Sequence, residues 1–395
     1  MSAEGALTRE QVLSIYRQVL GRTPSDDEIA HQLATMPTLD AMLRVALDSD
    51  EYVARLEREQ GLRPVRPAPT VVNVFHPDLA AWGHRPGTVS EDGSAVVGRE
   101  GWLFLSGGSN ANLSQYVGEA RMEAGWLERW REVVRRREAE IRALGAVSAL
   151  VVVPDKLAVY EEQYPEPLTR VGPRPVERLL EADDLPFVYP LARLRAAAQQ
   201  EAVYLRTDTH LTFHGNALLF ESVRAPLSID APLDLVELPL QSYLTPGDLG
   251  VKFDPPILDV VRGSGTLHRA RLAEDNRDEI AAVEGHIGTR RVFVNDTAAD
   301  DRVAVIFGDS FGFGAEAYQG LSWFLAQVFR ETHFVWVPFG WDPDYARAVG
   351  AQAIVMQGAE RFVARVPHPA IEVARLAEET LRRKRALDVD SAFGS

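Results

Sequence analysis

The chain has 395 residues, is 46% hydrophobic and carries a formal net charge of −15. This length exceeds that of one ordinary domain, so we expect a large domain and a smaller module. The negative charge works against non-specific attraction to nucleic acid or anionic membranes. The absence of cysteine excludes disulfides and thiolate metal sites.

Residues 1–60 are predicted to form a small helical module. Apolar Val12, Ile15 and Val19 lie at helical spacing, and Thr8 is a suitable residue to begin the first helix. The sequence resembles a short helical repeat of unknown function found in bacterial surface and glycan-modifying proteins. That resemblance covers about fifty residues and implies no chemistry.

The beginning of the sequence predicts a cytoplasmic protein. Its first ten residues contain no basic stretch followed by an apolar run, so no secretory signal is recognised. No apolar segment approaches the roughly 20 residues that span a bilayer, and we expect no membrane insertion. A periplasmic location, or export by an unrecognised route, is the alternative.

Alternating prolines in residues 61–69 favour an extended spacer. We therefore predict a linker and loop-rich connection over 61–94 and a catalytic domain over 95–368. A C-terminal helix and tail are expected over 369–395. Within the catalytic domain, residues 225–291 are rich in Pro, Gly and Asp and are interpreted as an insertion.

The catalytic domain is predicted to be an α/β fold. A hairpin is expected over 96–105, with its turn at 99–101. Short apolar runs predict buried parallel strands at 147–153, 203–205, 303–307, 334–337 and 353–356. Helical stretches are expected at 175–180, 191–200, 215–223 and 321–329. Strands that alternate with helices predict a parallel sheet with helices on both faces.

Ser310 is the candidate nucleophile. It follows an apolar strand through Gly308 and Asp309, which places it in the crevice where open α/β sheets bind ligands. Backbone N–H groups at this position can stabilise an oxyanion. The alternative is that Asp309 or Ser310 only caps a helix.

His210 is the candidate base, because a serine hydroxyl needs a base to become nucleophilic. Asp208 can orient one nitrogen of His210 and leave the other for Ser310. Since both residues follow the predicted strand 203–205, we expect them at the same sheet edge as Ser310. A metal site with His214 is the alternative, but no glutamate follows His210 as a zinc-protease motif requires. We therefore predict no metal.

Several motifs together resemble one known family. Gly308-Asp309-Ser310-Phe311 is similar to the nucleophile block of SGNH hydrolases, but here the Asp-His element precedes the serine. That order resembles the permuted SGNH-like domain of bacterial alginate O-acetyltransferases, as do the segments 98–104, 152–156, 247–249 and 360–362. The resemblance spans about residues 95–365.

The resemblance implies an acetyl-enzyme mechanism. Ser310 would attack the acyl group, His210 would move the proton and Asp208 would orient His210. Gly340 and Gln357 occupy the positions of further oxyanion donors, although Gln357 replaces the usual asparagine. Leu211 stands where the family commonly has tryptophan, which departs from its substrate-contacting surface.

Lys156 is a further candidate for substrate contact. It lies after a predicted strand and can reach a carboxylate or phosphate of the acceptor. The alternative is a surface salt bridge with Asp155 or Glu161, since an exposed lysine needs no function.

The leading functional hypothesis is an O-acetyltransferase that modifies a bacterial polysaccharide or glycoconjugate. The expected partners are a glycan acceptor and an acyl donor, either acetyl-CoA or an acyl-carrying protein, and no cofactor is expected. An acetyl esterase would use the same residues with water as acceptor. A non-catalytic glycan-binding or assembly protein is the alternative from a different class.

Overall fold

The computed structural model describes residues 7–36, 38–47, 49, 51, 84–108, 111–231, 233, 240–264, 267–277, 286–314, 319–376, 378, 379 and 382. The prolines predicted to form the spacer, the end of the helical module and most of the C-terminal tail lie outside these residues.

The described part of the N-terminal module includes three helices that share a hydrophobic core of their own. They are α1 (Arg9–Gln18), α2 (Asp26–Thr35) and α3 (Leu39–Leu47). Thr8 caps α1, as its hydroxyl accepts from the Gln11 N–H at 3.3 Å, while the Gln11 side chain accepts from the Thr8 N–H at 2.9 Å. Val12 and Ile15 are buried between the helices. The predicted helix start at Thr8 is thus confirmed.

The remaining described residues form strands and helices in alternation. The strands are β1 (Ala95–Val97), β2 (Leu103–Leu105), β3 (Val147–Val153), β4 (Phe187–Val188), β5 (Leu240–Thr245), β6 (Asp259–Ser264), β7 (Arg271–Asp275), β8 (Arg290–Val294), β9 (Asp300–Gly308), β10 (Phe329–Trp336) and β11 (Ala353–Ala359). The helices are α4 (Asn112–Val117), α5 (Trp126–Ala143), α6 (Lys156–Val159), α7 (Pro175–Leu180), α8 (Leu191–Ala198), α9 (Phe213–Val223), α10 (Gly247–Gly250), α11 (Ser310–Phe313), α12 (Leu321–Ala326) and α13 (Pro343–Ala348).

A seven-stranded sheet lies at the centre, in the order β4-β3-β11-β9-β10-β8-β7. The first five of these strands are parallel, and β8 and β7 add to the edge in antiparallel fashion. The carboxyl ends of β3, β11, β9 and β10 therefore meet at one edge. Polar groups that follow these strands are placed close together there.

Helices cover both faces of the sheet. In β9, Ile306 packs on the side of α9 and α12, whereas Phe307 packs on the side of α5 and α13. This alternation is what a strand buried on both faces requires. The predicted α/β class, with a mostly parallel sheet, helices on both faces and N-terminal helices, is confirmed.

The region predicted as an insertion has two parts. Strands β5 and β6 form a separate antiparallel pair, whereas β7 and the first residues of β8 extend the main sheet. The second part therefore belongs to the central sheet. Within this region, residues 232, 234–239, 265–266 and 278–285 lie outside the described chain.

Two predicted elements need correction. Residues 203–205 do not form a strand of the sheet, because the chain turns back and Tyr204 forms one antiparallel bridge with Leu211. The helix predicted over 321–329 ends at Ala326, and Phe329 already begins β10. The hairpin predicted at 96–105 is confirmed as β1 and β2, with a short 3₁₀ turn over Arg99–Gly101 between them.

Candidate active site

Ser310 lies at the turn that leads from β9 into α11. Asp309 caps this short helix, since its Oδ1 accepts from the Phe311 N–H at 3.0 Å. Ser310 is half-buried, while its neighbours Asp309 and Phe311 are buried. Because Ser310 opens the helix, its N–H has no partner within the helix and can point at a developing oxyanion. Ser310 is thus the half-buried residue of an otherwise buried turn at the end of β9.

Gln357 fixes this turn to β11. Its amide donates to Asp309 Oδ1 at 2.7 Å, and its carbonyl accepts from the Asp309 N–H at 3.1 Å. Asp309 Oδ2 also accepts from the Ala359 N–H at 2.6 Å. Gln357 is fully buried. The amide predicted as an oxyanion donor is instead committed to Asp309, because the side chain points under the turn.

Gly340 does not provide the expected donor either. Its N–H donates to Val337 O at 2.9 Å in the turn that follows β10. A Cβ at this position would lie 2.8 Å from the Val337 Cβ, so the tight turn explains the glycine. Of the expected oxyanion donors, the Ser310 N–H is the one that remains.

Asp208 and His210 form a closely bonded pair on a short loop. His210 Nδ1 lies 2.6 Å from Asp208 Oδ1, and the His210 N–H donates to the same oxygen at 2.9 Å. The loop is closed by the Leu205 N–H, which donates to His210 O at 2.9 Å. The hydrogen bond between Nδ1 and Asp208 assigns the ring proton to Nδ1 and the basic lone pair to Nε2.

Phe311 connects the pair to the turn of Ser310. Its ring centroid lies 5.1 Å from that of His210, and Phe311 directly follows Ser310. Asp208 and His210 are both buried. The structure therefore brings together the loop of Asp208 and His210 and the turn of Ser310, at the carboxyl edge of the sheet.

Electrostatics favour a charged Asp208 and a basic His210. Burial alone would raise the pKa of Asp208, but the charge and hydrogen bonds of His210 outweigh it and lower this pKa to about 2. Burial alone would lower the pKa of His210, but the Asp208 carboxylate reverses this, so the pKa lies above the ordinary 6.5. At neutral pH, Asp208 is thus an anion that holds the imidazole proton.

As the pH is lowered, we expect esterase activity to fall, and the midpoint of this fall should lie above pH 6.5. A general base must be neutral, and a raised pKa moves its protonation to higher pH. Asp248 also raises the pKa of His210, so Asp248→Asn should move this acid limb to lower pH. The measurement is kcat/KM against pH with uncharged p-nitrophenyl acetate. An acid limb in the same place in both proteins would contradict the assignment of His210 as base.

Asp248, which the sequence did not single out as a site residue, braces the loop of Asp208 and His210. Its N–H donates to Asp208 Oδ2 at 2.9 Å. Its carboxylate accepts from the Thr209 N–H at 2.7 Å and from the Thr209 hydroxyl. Partial burial, and then the charge of Asp208, raise the pKa of Asp248. The sequence signal for Asp248 is the segment 247–249, which carries part of the family resemblance.

Gly247 allows this close approach. Its φ is +61°, and a Cβ there would lie 2.6 Å from the Asp208 Cβ and 2.7 Å from Thr207 O. The Leu249 and Gly250 N–H groups both donate to Thr207 O, at 3.2 and 3.0 Å. Helix α10 therefore holds the backbone before Asp208 as well as its side chain.

Asp208, His210 and Asp248 also resemble a set of metal ligands. Within the described part of the chain, they are the one group of this kind, with ligand atoms within 4.8 Å of one another. However, Asp208 already accepts two hydrogen bonds from His210 and one from Asp248. This pattern is typical of an oriented base. His214, the other predicted ligand, lies half-buried on α9 outside the group.

Lys156 is not at the surface. Its ammonium donates to Leu103 O at 2.7 Å and to Arg206 O at 3.0 Å, and the residue is 5% exposed. The surface salt bridge expected from the sequence is therefore wrong, whereas the substrate contact stays a prediction, since Lys156 lines a small cavity with Thr209 and Arg361. Lys156 instead joins the hairpin strand β2 to the segment that leads into Asp208.

We expect Lys156 to make stability depend on pH. Burial lowers the pKa of Lys156 to about 7, below the value of about 10.4 in an unfolded chain. Between these two pH values, Lys156 is protonated in the unfolded chain and neutral in the folded one. The free energy of unfolding of the wild type should therefore rise with pH relative to that of Lys156→Met. Urea unfolding of both proteins from pH 7 to 10 measures this. A constant difference in unfolding free energy across that window would contradict it.

Arg361 is a second residue that the sequence did not assign to the site. Its guanidinium bonds to Asp155 Oδ1 at 2.5 Å and lies 5.7 Å from the centre of the Phe311 ring. Both side chains of this ion pair are more than nine-tenths buried. The buried ion pair of Arg361 and Asp155 thus lies beside Phe311, at the end of β11.

No helix among the described residues combines the length and the apolar character that crossing a membrane requires.

Comparison with known proteins identifies a related domain. Residues 95–244 match the family described as the SGNH hydrolase-like domain of acetyltransferase AlgX. The chain is 27% identical over 160 residues to the probable alginate O-acetylase AlgJ of Pseudomonas aeruginosa, which covers 38% of this chain and 36% of that protein. The match thus spans little more than a third of the relative. The resemblance to this SGNH-like type, stated from the sequence, is confirmed.

Two solved structures are similar in fold. The O-acetyltransferase domain of Pseudomonas putida AlgJ is 17% identical with a TM-score of 0.43, and the similarity covers 72% of this chain and 99% of that one. Bacillus cereus PatB1 is 12% identical with a TM-score of 0.47, covering 70% and 98%.

Proposed function

We propose that this protein is an O-acetyltransferase that modifies a bacterial polysaccharide or glycoconjugate through a covalent acetyl-serine. The observation that carries the proposal is the 2.6 Å bond from His210 Nδ1 to Asp208, next to the turn that presents Ser310. The family match over 95–244 supports an acetyltransferase. The printed name of the AlgJ relative supports a polysaccharide acceptor.

The first half-reaction forms the acetyl-enzyme. Ser310 Oγ attacks the acetyl carbonyl carbon of the donor while His210 Nε2 takes the hydroxyl proton. The Ser310 N–H faces the negative charge that develops on the carbonyl oxygen. When the intermediate collapses, the bond to the donor breaks and His210 returns the proton to the leaving group.

The second half-reaction transfers the acetyl group. A sugar hydroxyl gives its proton to His210 and attacks the acetyl carbon, and Ser310 Oγ leaves with that proton. Asp208 stays ionised throughout and stabilises the imidazolium, which its pKa of about 2 permits. None of these steps needs a cofactor. The donor, acetyl-CoA or an acyl-carrying partner protein, follows from the cellular location, which stays a prediction.

Intact-protein mass spectrometry after incubation with p-nitrophenyl acetate tests the proposal. We expect one added acetyl group on Ser310, absent from Ser310→Ala and His210→Ala. Ser222→Ala is a matched control, because Ser222 is half-buried on α9, away from the site. If folded wild-type protein showed neither an adduct nor ester turnover, the non-catalytic glycan-binding alternative would replace this proposal.

A second measurement separates transferase from esterase. Acetate release is followed with and without added hexasaccharides, one neutral and one built of uronates. In a transferase, the acceptor competes with water, so acetate release should fall as acetylated sugar appears. Acetate release that no acceptor changes, with no acetylated sugar, would assign the enzyme as an esterase.

A further inference from the structure

A cleft of about 570 Å³ is lined in part by Arg361, whose guanidinium lies over the ring of Phe311. One wall is the segment between α4 and α5, and the other is the segment that follows β11. Its charged lining residues, which we call the arginine cleft, are Arg121, Glu123, Arg129, Arg361 and Arg365. The lining therefore contains four arginines and one glutamate, on a protein whose formal net charge is −15.

Two of the four arginines are already neutralised. Arg129 bonds to Glu123 at 2.7 Å, and Arg361 bonds to Asp155 at 2.5 Å. Arg121 and Arg365 are exposed, and neither forms an ion pair with another residue that the structure describes. Two exposed positive charges thus line the cleft without a counter-charge among the described residues.

Arg361 connects this cleft to the catalytic residues. It also lines a narrow cavity with Asp155 and Thr209, and Thr209 directly precedes His210. Its guanidinium lies over Phe311, the residue after Ser310. Because β11 and β9 are neighbouring parallel strands, the cleft and Ser310 share one edge of the sheet. Arg361 is thus shared by the cleft and by the cavity next to the loop of His210.

We propose that the arginine cleft binds an anionic group, a carboxylate or phosphate, of a substrate that reacts at Ser310. The inference rests on the proposed function and adds a binding site to it. Guanidinium groups match both anions with paired hydrogen bonds, and two arginines that line one cleft suit such a group better than a neutral sugar. The two chemical sources are an acidic acceptor glycan and a phosphorylated acyl donor of the coenzyme A type.

Calorimetric titration of the full chain as Ser310→Ala tests the site without turnover. The probes are coenzyme A, an oligogalacturonate hexamer and neutral cellohexaose, each at low and at high salt. We expect one of the two anionic probes to bind, and to bind more weakly as salt screens the charges. The probe that binds identifies the source. Cellohexaose should bind at least roughly tenfold more weakly, as a charged hydrogen bond contributes that much.

Substitutions locate the binding. Arg121→Ala and Arg365→Ala should each weaken it about tenfold, whereas lysine at the same positions should restore part of it. Arg193→Ala is the matched control, because Arg193 is exposed on α8 and does not line the cleft. Circular dichroism and thermal melting of each variant confirm that it is folded.

Two results would overturn the inference: no binding of either anionic probe to folded protein, or binding that Arg121→Ala and Arg365→Ala leave unchanged. Since binding is read in Ser310→Ala, either result leaves the acetyl-serine proposal standing. Conversely, absence of an acetyl adduct in the wild type leaves the measured anion binding intact.

Discussion

Replacing Asp208 with asparagine should lower kcat/KM for p-nitrophenyl acetate by roughly 10⁴-fold, the usual loss when the orienting carboxylate of a triad becomes an amide. Asp208 Oδ1 accepts both the ring and the backbone N–H of His210. An amide keeps the shape but provides only one acceptor oxygen, and its NH₂ would face the Asp248 N–H or His210. The base would lose the fixed tautomer that leaves Nε2 ready to take a proton.

Asp248→Asn is the matched control for this prediction. It removes a second carboxylate beside the same histidine, but one whose Oδ2 lies 3.9 Å from His210 Nδ1 instead of 2.6 Å. We expect a loss of about tenfold or less at high pH, because Asp248 positions Thr209 and does not hold the imidazole proton. A larger loss in Asp248→Asn than in Asp208→Asn would reverse the two roles.

Gly247→Ala should reduce activity about 100-fold, since a displacement near 1 Å in an active site has an effect of that order. The new Cβ would lie 2.6 Å from the Asp208 Cβ, so Asp208 or α10 must move. The positive φ of +61° adds backbone strain of about 1 kcal/mol or more. Kinetics with p-nitrophenyl acetate and thermal melting measure the two effects separately.

Gly145→Ala is the control that separates the effect of backbone strain from the effect of a steric clash with Asp208. Gly145 has φ +70°, and a Cβ there meets nothing within 4 Å. This control should lose stability by about 1 kcal/mol and keep full activity. If Gly145→Ala and Gly247→Ala behaved alike, the contact between α10 and Asp208 would have no part in catalysis.

The central sheet, and the approach of the loop of Asp208 and His210 to the turn of Ser310, could be predicted from sequence because both depend on local signals. The run 147–153 forms a strand with the predicted bounds, and Ser310 follows β9 as its motif indicates. Residues 203–205 show the limit of the same method. Their composition favours a strand, but the chain reverses after Leu205 to pair with itself. Periodicity carries no information about that reversal.

The supporting residues could not be predicted, because their roles depend on partners far along the chain. An exposed lysine is the ordinary expectation, yet Lys156 is buried and its ammonium donates to the backbone carbonyl groups of Leu103 and Arg206. Gln357 follows the predicted strand 353–356 as an oxyanion donor would, but β11 continues to Ala359 and the amide turns towards Asp309. Direction and burial of a side chain are set by the packed fold, which sequence spacing does not contain.

The brace between α10 and the loop of Asp208 limits how this enzyme can be divided by recombination. Residues 95–244 include Asp208 and His210, but Asp248 lies beyond them and Ser310 further still. A recombination event that ended at residue 244 would transfer His210 without Asp248, which braces its loop, and without Ser310. A segment that keeps the proposed base, its brace and the proposed nucleophile together must therefore run at least from Asp208 to Ser310.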